Sequence, residues 1–457
     1  MTVADFSGRR VVVVGARMAG GACASAVLRR GGIVTVVDRT DTAQTAELAA
    51  AGATVVITEE PRADLLDGAD DLIVSPGIPP HHPLVVEAIA RGIDVYSEPE
   101  LAWRLRGPDS PPWLAVTGTN GKTTTVTMLA SILRAAGLRT AALGNIGEPL
   151  VDLPDDYAVL AVELSSFQLH WSSTLAPQAG ALLNLAPDHL EWHGDIDAYG
   201  GAKTAVWRGP VAVGNLDDPW VRAQLAQAPG RHVGFTLGAD ASGSFGVVDG
   251  WLVTPDGTRI VEAAVIRPAG AHNVANALAA AALAVAHGVP VEAIRAGLEA
   301  YLPEHHRNEF VATVDEVSYV DDSKATNPHA ALASLTAYPR VVWVVGGQLK
   351  GVDISELVIS IADRLAGAVL LGVDRAQVAA ALARHAPGVP VVDVARTDDG
   401  AMGEVVKAAS ALAGPGDTVL LAPAAASLDM YQSYAHRGKA FAAAVAALSG
   451  AAPTGEA

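Results

Sequence analysis

The chain has 457 residues, enough for about three domains at a typical size of roughly 150 residues each. Half of the residues are hydrophobic and only 18% are charged, which fits a compact globular protein and excludes collagen, coiled coils and largely disordered chains. The formal net charge of −18 has the wrong sign for a surface that binds a nucleic-acid backbone, so we expect no nucleic-acid partner.

The single cysteine, Cys23, has no partner in the chain for a disulfide. Near the N-terminus, Arg9 and Arg10 lead into a run of only four valines, which is too short for a signal sequence or a membrane span. We therefore expect a cytoplasmic protein with no membrane partner, and because nothing indicates an interaction helix, a monomer.

Strand-like apolar runs alternate with Ala-rich helical stretches in the first hundred residues, at 11–14, 33–37, 54–57 and 72–74. This alternation is typical of a parallel sheet covered by helices. The polar, proline-rich segment 104–112 then predicts a linker to a second domain.

The second series begins with a strand at 113–117 and continues with strands at 159–162, 181–185 and 211–214, a helix at 273–287 and a shorter helix ending near Tyr301. After a break at 302–304, strands follow at 341–345, 368–371, 389–392 and 418–421, and 451–457 is predicted to be a frayed tail. We predict three α/β domains, 1–105, 106–303 and 304–457, of which the first and third are Rossmann-like and the middle one is a P-loop-type ATP-binding domain.

A glycine-rich segment follows the strand at 113–117 and comprises Gly118, Thr119, Asn120, Gly121, Lys122, Thr123 and Thr124. In such a loop the backbone N–H groups and the helix start bind phosphate, the lysine adds charge, and the hydroxyl after it binds Mg²⁺. Val116 occupies a position where the general pattern has glycine, so the loop is a variant. The alternative is a glycine-rich turn with an incidental lysine.

Candidate metal ligands follow two later strands of the same domain. Glu163 and the pair Asp188-His189 lie near the carboxyl ends of predicted parallel strands, the edge that also carries the phosphate loop. Mg²⁺ prefers carboxylate oxygens together with substrate phosphates. Taken alone, His189 is more often an ordinary loop residue. No Asn-Lys pair occurs in the chain, which disfavours a switch GTPase.

Lysine is rare, because only six of the 31 basic residues are lysines. Each is a candidate for chemistry that a guanidinium cannot perform, although ordinary surface lysines are the alternative. The six are Lys122, Lys203, Lys324, Lys350, Lys407 and Lys439.

Together these motifs resemble those of the Mur ligases, ATP-dependent amide-bond ligases of peptidoglycan precursor synthesis. The resemblance rests on the phosphate loop, 144–147 (GNIG), 163–166 (ELSS), 188–190 (DHL), Lys203 and His272-Asn273 with Asn276. In the third domain, 322–327 (DSKATN), 346–351 (GGQLKG), 426–429 (ASLD), Tyr434 and 436–438 (HRG) resemble the D-glutamate-adding branch. The match covers essentially the whole chain in order.

The resemblance implies a reaction in which ATP phosphorylates the terminal carboxylate of UDP-N-acetylmuramoyl-L-alanine and the amine of D-glutamate attacks the acyl phosphate. It implies two Mg²⁺ ions, held by Thr123, Glu163, His189 and a carbamylated Lys203, and catalytic roles for Lys122, Lys203, His189 and Asn145. A carbamate would explain a lysine beside a metal ion that an ammonium repels. The alternative is a solvated Lys203.

The resemblance also assigns residues to the other substrates. Besides the phosphate loop, ATP would contact Asn273, Asn276, Arg307, Asp322 and Lys324. The two asparagines lie three residues apart on one helix face and would read adenine, unless they cap the helix. D-glutamate would contact Thr326, Lys350, Ser427, Leu428 and Tyr434, the last of which is more often Phe in the family.

The N-terminal segment 15–21 resembles a dinucleotide loop, but Arg17 replaces the second glycine of that motif and disfavours close approach of a pyrophosphate. The family uses this domain to hold the UDP group. The resemblance then implies UDP contacts at Arg17, Met18, Asp38, Arg39, Ser75 and Gly77.

Three other functions would explain part of the sequence but not all of it. A folylpolyglutamate synthase has a similar loop but lacks a UDP-binding N-terminal domain. An NAD-dependent oxidoreductase would use Gly15 to Asp38, where the glycine pattern is broken. An ATP-gated binding protein without chemistry leaves Lys203, Lys324 and Lys350 unexplained.

Overall fold

The computed structural model describes residues 4–154, 156–238, 243–303, 305–398 and 400–448, so the predicted tail at 451–457 lies outside the described residues. The chain divides into two compact units. Unit 1 comprises the described residues of Met1–Val265 and Ala275–Tyr301, and unit 2 those of Ile266–Val274 and Leu302–Ala457. Among these residues, no helix has the length and apolar character needed to cross a membrane.

Unit 1 begins with a five-stranded parallel sheet in the order β3-β2-β1-β4-β5. Its central strands are continuous apolar runs, and Val11 to Val14 are buried, as expected for a parallel sheet covered on both faces. The strands are β1 Arg10–Val14, β2 Ile33–Asp38, β3 Thr54–Ile57, β4 Asp71–Val74 and β5 Asp94–Tyr96. The helices are α1 Met18–Leu28, α2 Ala43–Ala50, α3 Pro83–Ala90 and α4 Glu98–Arg104.

The second sheet of unit 1 has six parallel strands in the order β11-β10-β9-β6-β8-β7, and every residue of the central β6 is buried. The strands are β6 Trp113–Thr117, β7 Ala142–Gly144, β8 Leu160–Glu163, β9 Ala179–Leu182, β10 Val211–Asn215 and β11 Arg231–Phe235. The helices are α5 Lys122–Ala135, α6 Ser166–His170, α7 Leu190–His193, α8 Ile196–Thr204, α9 Pro219–Leu225, α10 Ala271–Ala286 and α11 Val291–Glu299. The residues of α10 up to Val274 are assigned to unit 2.

A small antiparallel sheet, which the sequence analysis did not predict, lies between α9 and α10 in the chain. It consists of β12 Gly246–Val248, β13 Trp251–Val253 and β14 Arg259–Glu262.

Unit 2 carries a mixed sheet of six strands in the order β15-β16-β20-β17-β18-β19, in which β15 runs antiparallel to β16 and the other neighbours are parallel. The strands are β15 Glu309–Val314, β16 Val317–Asp321, β17 Val341–Gly346, β18 Leu365–Leu371, β19 Val391–Asp393 and β20 Thr418–Leu421. The helices are α12 Pro328–Leu335, α13 Ser355–Ile361, α14 Arg375–His385, α15 Ala401–Leu412 and α16 Tyr434–Leu448.

The predicted α/β class is confirmed, and most predicted strands coincide with observed ones to within a residue or two. Two predicted strands need correction, because 181–185 is observed as Ala179–Leu182 and 389–392 as Val391–Asp393. The third domain is Rossmann-like with an added antiparallel edge strand. The domain boundaries at 105/106 and 303/304 stay predictions.

Candidate active site

The phosphate-loop segment has the predicted strand–turn–helix geometry. It leaves β6 and enters α5 at Lys122, with left-handed backbone angles of φ 157° at Gly118 and 83° at Gly121. A Cβ at Gly121 would lie 2.4 Å from Oδ1 of Asn276, so both the backbone and the space require glycine there. Val116 is buried inside β6, which ends at Thr117, so the glycine-rich loop begins directly after the strand.

Two side chains that the sequence analysis missed hold this loop. Asn184, just after the neighbouring β9, accepts the Asn120 N–H at 2.9 Å and donates to the Asn120 carbonyl at 3.2 Å. Tyr199 donates its hydroxyl to Oγ1 of Thr119 at 3.3 Å. A polar residue at the carboxyl end of a strand adjacent to the loop is the signal that would have found Asn184.

Two lysines meet at the Gly118 carbonyl. Lys122 Nζ donates to it at 3.0 Å and to the Thr119 carbonyl at 2.9 Å, and Lys203 Nζ donates to the Gly118 carbonyl at 2.9 Å. Lys203 is only 1% exposed, and its Nζ lies 4.3 Å from the centroid of the Tyr199 ring. Burial, and then repulsion by Lys122, holds the pKa of Lys203 well below its ordinary value. Loss of the proton is therefore easier for Lys203 than for an exposed lysine.

Glu163 is the last residue of β8, pairs in register with Val116, and is 1% exposed. Its Oε1 accepts a hydrogen bond from Nδ2 of Asn145 at 2.8 Å. Its Oε2 is buried and has no hydrogen-bond partner. A buried carboxylate oxygen without a partner is costly, and a cation next to the phosphate loop would satisfy it. The donor set at this edge therefore fits Mg²⁺.

His189 caps the short helix α7 with a left-handed φ of 53°, and its ring lies 4.7 Å from that of Phe167. Burial lowers the pKa of His189 below its ordinary value, although the nearby Asp188 acts in the opposite direction. The neutral imidazole is the form that binds metals. Thr123, which follows Lys122 in α5, is also buried, at 5% exposure.

The two predicted adenine contacts have different surroundings. Asn276 belongs to unit 1 and lies against Gly121 of the phosphate loop. Asn273 belongs to unit 2, where its Nδ2 lies 2.9 Å from Nε2 of His272 and 3.4 Å from the Ala269 carbonyl. Both amides are buried. Their contact with adenine stays a prediction.

In the first sheet the strand order reverses between β1 and β4, where open α/β sheets bind ligands. Asp38, at the end of β2, accepts the Ala16 N–H at 2.6 Å and the Thr40 N–H at 3.0 Å. Burial raises the pKa of Asp38, but these and other N–H donors outweigh it and leave the pKa below its ordinary value. A cavity of about 540 Å³ is lined there by Ala16, Arg17, Met18, Asp38, Thr40, Thr42, Ala43 and Gln44.

The predicted UDP-binding set is thus only partly gathered around this cavity. Arg17, Met18 and Asp38 line it, whereas Ser75 does not, and its Oγ donates to the Gly15 carbonyl at 3.1 Å. Gly77 and Arg39 are exposed and do not belong to the lining. Their assigned contacts stay predictions.

In unit 2, the segments predicted to hold D-glutamate follow three adjacent strands, β16, β20 and β17. Ala424 donates its N–H to the Ala325 carbonyl at 2.9 Å, and Gln348 and Ala426 exchange two backbone hydrogen bonds of 2.9 and 3.0 Å. The sheet therefore brings together segments that are about a hundred residues apart in sequence.

Individual acceptor-side residues differ in exposure. Ser427 is buried, Thr326 is partly buried, and Lys350 is exposed with a left-handed φ of 54°. Leu428 is 66% exposed. Lys324 Nζ lies 5.3 Å from the centroid of the Tyr434 ring, a cation–π contact that phenylalanine would also make.

The Asp322 carboxylate is hydrogen-bonded to other residues of unit 2. It accepts the Ser334 hydroxyl and, at 3.2 Å, the Asn308 N–H. Burial raises the pKa of Asp322 to about 6, against the effect of these donors and of Arg307. These contacts hold the segment that carries Arg307, while direct contact of either residue with ATP stays a prediction.

Three family models match this chain over most of its length. The family model described as the Mur ligase middle domain matches residues 116–284, the one described as the Mur ligase glutamate ligase domain matches 306–425, and the one described as the MurD-like N-terminal domain matches 9–97. A relative from Thermobifida fusca is 52% identical over 98% of this chain and 100% of its own length. A relative from Streptomyces avermitilis is 50% identical over 97% and 99%. Both are named UDP-N-acetylmuramoylalanine–D-glutamate ligase.

Solved structures agree in fold. The UDP-N-acetylmuramoylalanyl-D-glutamyl-2,6-diaminopimelate–D-alanyl-D-alanyl ligase of Acinetobacter baumannii superposes with a TM-score of 0.60 at 21% identity, covering 95% of this chain and 92% of that one. The UDP-N-acetylmuramate–alanine ligase of Thermotoga maritima gives 0.57 at 19% identity, covering 95% and 98%. With the three family matches and relatives at about half identity over nearly the full length, the chain belongs to the Mur ligase family of ATP-dependent amide-bond ligases.

Proposed function

We propose that the protein joins the amine of D-glutamate to the terminal carboxylate of UDP-N-acetylmuramoyl-L-alanine, with ATP converted to ADP and phosphate. The observation that carries the chemistry is the buried Lys203 beside Lys122 at the phosphate loop, on the sheet edge that holds the unpartnered oxygen of Glu163. The choice of substrates is supported by the names of the relatives from Thermobifida fusca and Streptomyces avermitilis.

The reaction has two steps. A carboxylate oxygen of the nucleotide-sugar substrate attacks the γ-phosphorus of ATP, and ADP leaves, which gives an acyl phosphate. The amine of D-glutamate then attacks the acyl carbon, loses a proton, and phosphate leaves with the oxygen that came from the carboxylate. Lys122 and the N–H groups of the loop and α5 neutralise charge as it shifts between phosphoryl oxygens.

Thr123, Glu163, His189 and Lys203 are the residues that would hold two Mg²⁺ ions, with Asn145 orienting Glu163 through its 2.8 Å hydrogen bond. The ions supply charge neutralisation for the phosphates when bound. The ammonium of Lys203 would oppose this, but its lowered pKa favours the neutral amine. That amine can attack carbon dioxide and lose a proton, which forms an N–C bond and an anionic carbamate.

For the UDP group, the cavity beside Asp38 is the proposed site, with Arg17 and Met18 in its lining and Arg39, Ser75 and Gly77 near the same sheet edge. The carboxylate of Asp38 already accepts two backbone N–H groups, which keeps it ionised and able to accept hydrogen bonds from a base or ribose. The MurD-like match at 9–97 supports this domain's role and disfavours a folylpolyglutamate synthase.

D-glutamate is assigned to the strand ends of unit 2, where a dicarboxylate needs cations and hydroxyl groups. The assigned residues are Thr326, Lys350, Ser427, Leu428 and Tyr434. For ATP we assign the phosphate loop, Gly118 to Thr124, with Asn273, Asn276, Arg307, Asp322 and Lys324.

We further propose that the protein works as a cytoplasmic monomer with small-molecule substrates and no nucleic-acid partner, and that the domains divide at 105/106 and 303/304. The net charge of −18 supports the absence of nucleic acid.

The test is Mg²⁺-dependent phosphate release from ATP with UDP-N-acetylmuramoyl-L-alanine and one of four acceptors: D-glutamate, L-glutamate, L-alanine or meso-diaminopimelate. We expect release only with D-glutamate, with an amide product of the matching mass. Release only with another acceptor would refute the acceptor assignment in unit 2. No release with any acceptor would favour an ATP-gated binding protein.

A further inference from the structure

Arg437 is among the largest fully buried side chains of the described residues. The proposed reaction assigns it no role. Arg437 lies in the first turn of α16 and is 1% exposed. Burial lowers the pKa of its guanidinium to about 10, which leaves it charged at neutral pH. A buried charge is costly unless it is hydrogen-bonded, so its contacts need an explanation.

Arg437 donates to backbone carbonyls and one hydroxyl group, and not to a carboxylate. Its Nε donates to Oγ of Ser323 at 3.0 Å and its Nη2 to the Ser323 carbonyl at 2.8 Å. Its Nη1 donates to the Ala425 carbonyl at 3.2 Å and, more weakly, to the Gly346 carbonyl at 3.5 Å. Among the described residues, no carboxylate oxygen lies within ion-pair distance of this guanidinium. The guanidinium of Arg437 therefore uses its several N–H groups to donate hydrogen bonds mainly to backbone carbonyls.

These partners belong to the three segments assigned to substrates. Ser323 immediately precedes Lys324 and lies three residues before Thr326, Gly346 ends β17 four residues before Lys350, and Ala425 lies two residues before Ser427. One side chain thus joins the ends of β16, β17 and β20.

The network continues beyond Arg437. The Ser323 hydroxyl donates to the Tyr434 carbonyl at 2.8 Å, and the Ser323 N–H donates to Asp321 at 2.8 Å. Asp321 in turn pairs with Nδ1 of His306 at 2.6 Å, and His306 directly precedes Arg307. The hydrogen bond to Asp321 and the charge of that carboxylate raise the pKa of His306 above its ordinary value, although burial acts in the opposite direction.

We propose that Arg437 is a positioning residue that sets the mutual geometry of the three strand-end segments which hold D-glutamate and the ATP-facing Lys324. This inference rests on the proposed function for the identity of the acceptor. Lysine cannot replace arginine here, because a single ammonium on a flexible stem cannot reach carbonyls of three segments that a planar guanidinium spans.

The test compares Arg437→Lys with Arg364→Lys in the full-length protein. Arg364 is a matched control in the same unit, because its Nη1 donates to the Tyr338 carbonyl at 3.0 Å, before the start of β17 and away from the strand ends. For Arg437→Lys we expect kcat/KM for the acceptor to fall by about 10- to 100-fold, the size of effect that small misplacement of substrate groups causes. For Arg364→Lys we expect a change within about twofold.

Hydrogen exchange gives a readout that does not depend on the acceptor. In Arg437→Lys, amide exchange should accelerate selectively in 322–327, 346–350 and 424–428, and Arg364→Lys should leave these segments unchanged. If Arg437→Lys does not fold, Ser323→Ala serves as the second variant, because it removes the oxygen between Nε and the Tyr434 carbonyl, and it should accelerate exchange at 322–327. Added guanidinium should partly restore the activity of Arg437→Ala.

Lower thermal stability with unchanged kcat and KM in Arg437→Lys would overturn the proposal, because it would show a merely structural role. Unchanged exchange in the three segments would also overturn it. A failure of the proposed function can be told apart from a failure of this inference. If the proposed function is wrong, the wild-type protein uses another acceptor, and hydrogen exchange still tests whether Arg437 orders the three segments.

Discussion

The phosphate loop of unit 1 and the strand-end segments of unit 2 reach a defined geometry in different ways. The loop is one continuous segment, Gly118 to Thr124, whose donors point to one place because a helix starts there. The unit 2 segments start at residues 322, 346 and 424, and they are joined by sheet order, backbone hydrogen bonds, Arg437 and the Ser323 hydroxyl. A local motif can therefore be read from sequence, whereas the second kind of site depends on long-range packing.

We expect the largest loss of activity for Lys203→Ala, a substitution at the phosphate loop of unit 1. Removing this buried side chain takes away the group that we propose becomes the carbamate, and we expect kcat to fall by roughly 100- to 1000-fold. Short-chain carboxylic acids should partly restore activity by occupying the position of the carbamate. Lys407→Ala, an exposed lysine on α15, is the control and should stay close to wild type. Full activity of Lys203→Ala without any added acid would contradict the assignment.

A smaller and more selective effect is expected for Lys350→Met in the second region. The substitution removes the proposed charge-assisted contact to an acceptor carboxylate, so kcat/KM for D-glutamate should fall about 10- to 100-fold. KM for ATP should change less than about twofold, since ATP is assigned to other residues. Steady-state kinetics with each substrate varied in turn measures both. Equal losses for ATP and D-glutamate would show that Lys350 does not belong to the acceptor site alone.

The smallest effect concerns stability away from both regions. Glu98, at the start of α4, is 2% exposed, and its Oε1 accepts the Val151 N–H at 2.9 Å. Burial raises its pKa to about 7 from an ordinary value of 4.5, although the Val151 and Leu150 N–H groups act to lower it. At pH values between these two pKa values, the Glu98 carboxyl is ionised in the unfolded chain but keeps its proton in the folded chain. Stability therefore falls as pH rises through this window, by at most about 3 kcal/mol.

Glu98→Gln removes this dependence, because the amide stays neutral and its oxygen can still accept the Val151 N–H. Relative to wild type, its free energy of unfolding should rise between about pH 4.5 and pH 7 and stay constant above. Urea unfolding of both proteins across that range measures the difference, in which other titrating groups cancel. A difference that does not vary with pH would show that Glu98 is ionised in the folded protein.

The buried strands could be predicted because their residues are continuous apolar runs, as in β1, β6 and β17. The β15–β16 hairpin could not, because its two-residue turn is Asp315-Glu316, both with left-handed φ of 49° and 62°, where sequence patterns expect Asn-Gly or Asp-Gly. The three short strands β12 to β14 also carry too few residues for a periodic pattern.

The candidate site shows the same division. Lys122, Thr123 and Glu163 follow from a local motif and a strand end, and the structure brings them to one sheet edge. Tyr199 and Arg437 could not be assigned, because each acts on backbone or side chains that are distant in sequence and that only the fold makes neighbours. Asn184 could have been assigned, because its place at the carboxyl end of a strand next to the loop is a sequence signal. For the same reason, the sequence did not show that Asp322 is bound inside unit 2 by Ser334.

The central claim is that this chain forms an amide through an acyl phosphate, and isotope transfer tests it most directly. UDP-N-acetylmuramoyl-L-alanine with ¹⁸O in its terminal carboxylate is turned over with ATP, Mg²⁺ and D-glutamate, and the released phosphate is analysed by mass. The account predicts one ¹⁸O in each phosphate released and one retained in the amide product. Phosphate without ¹⁸O, formed together with amide, would contradict it.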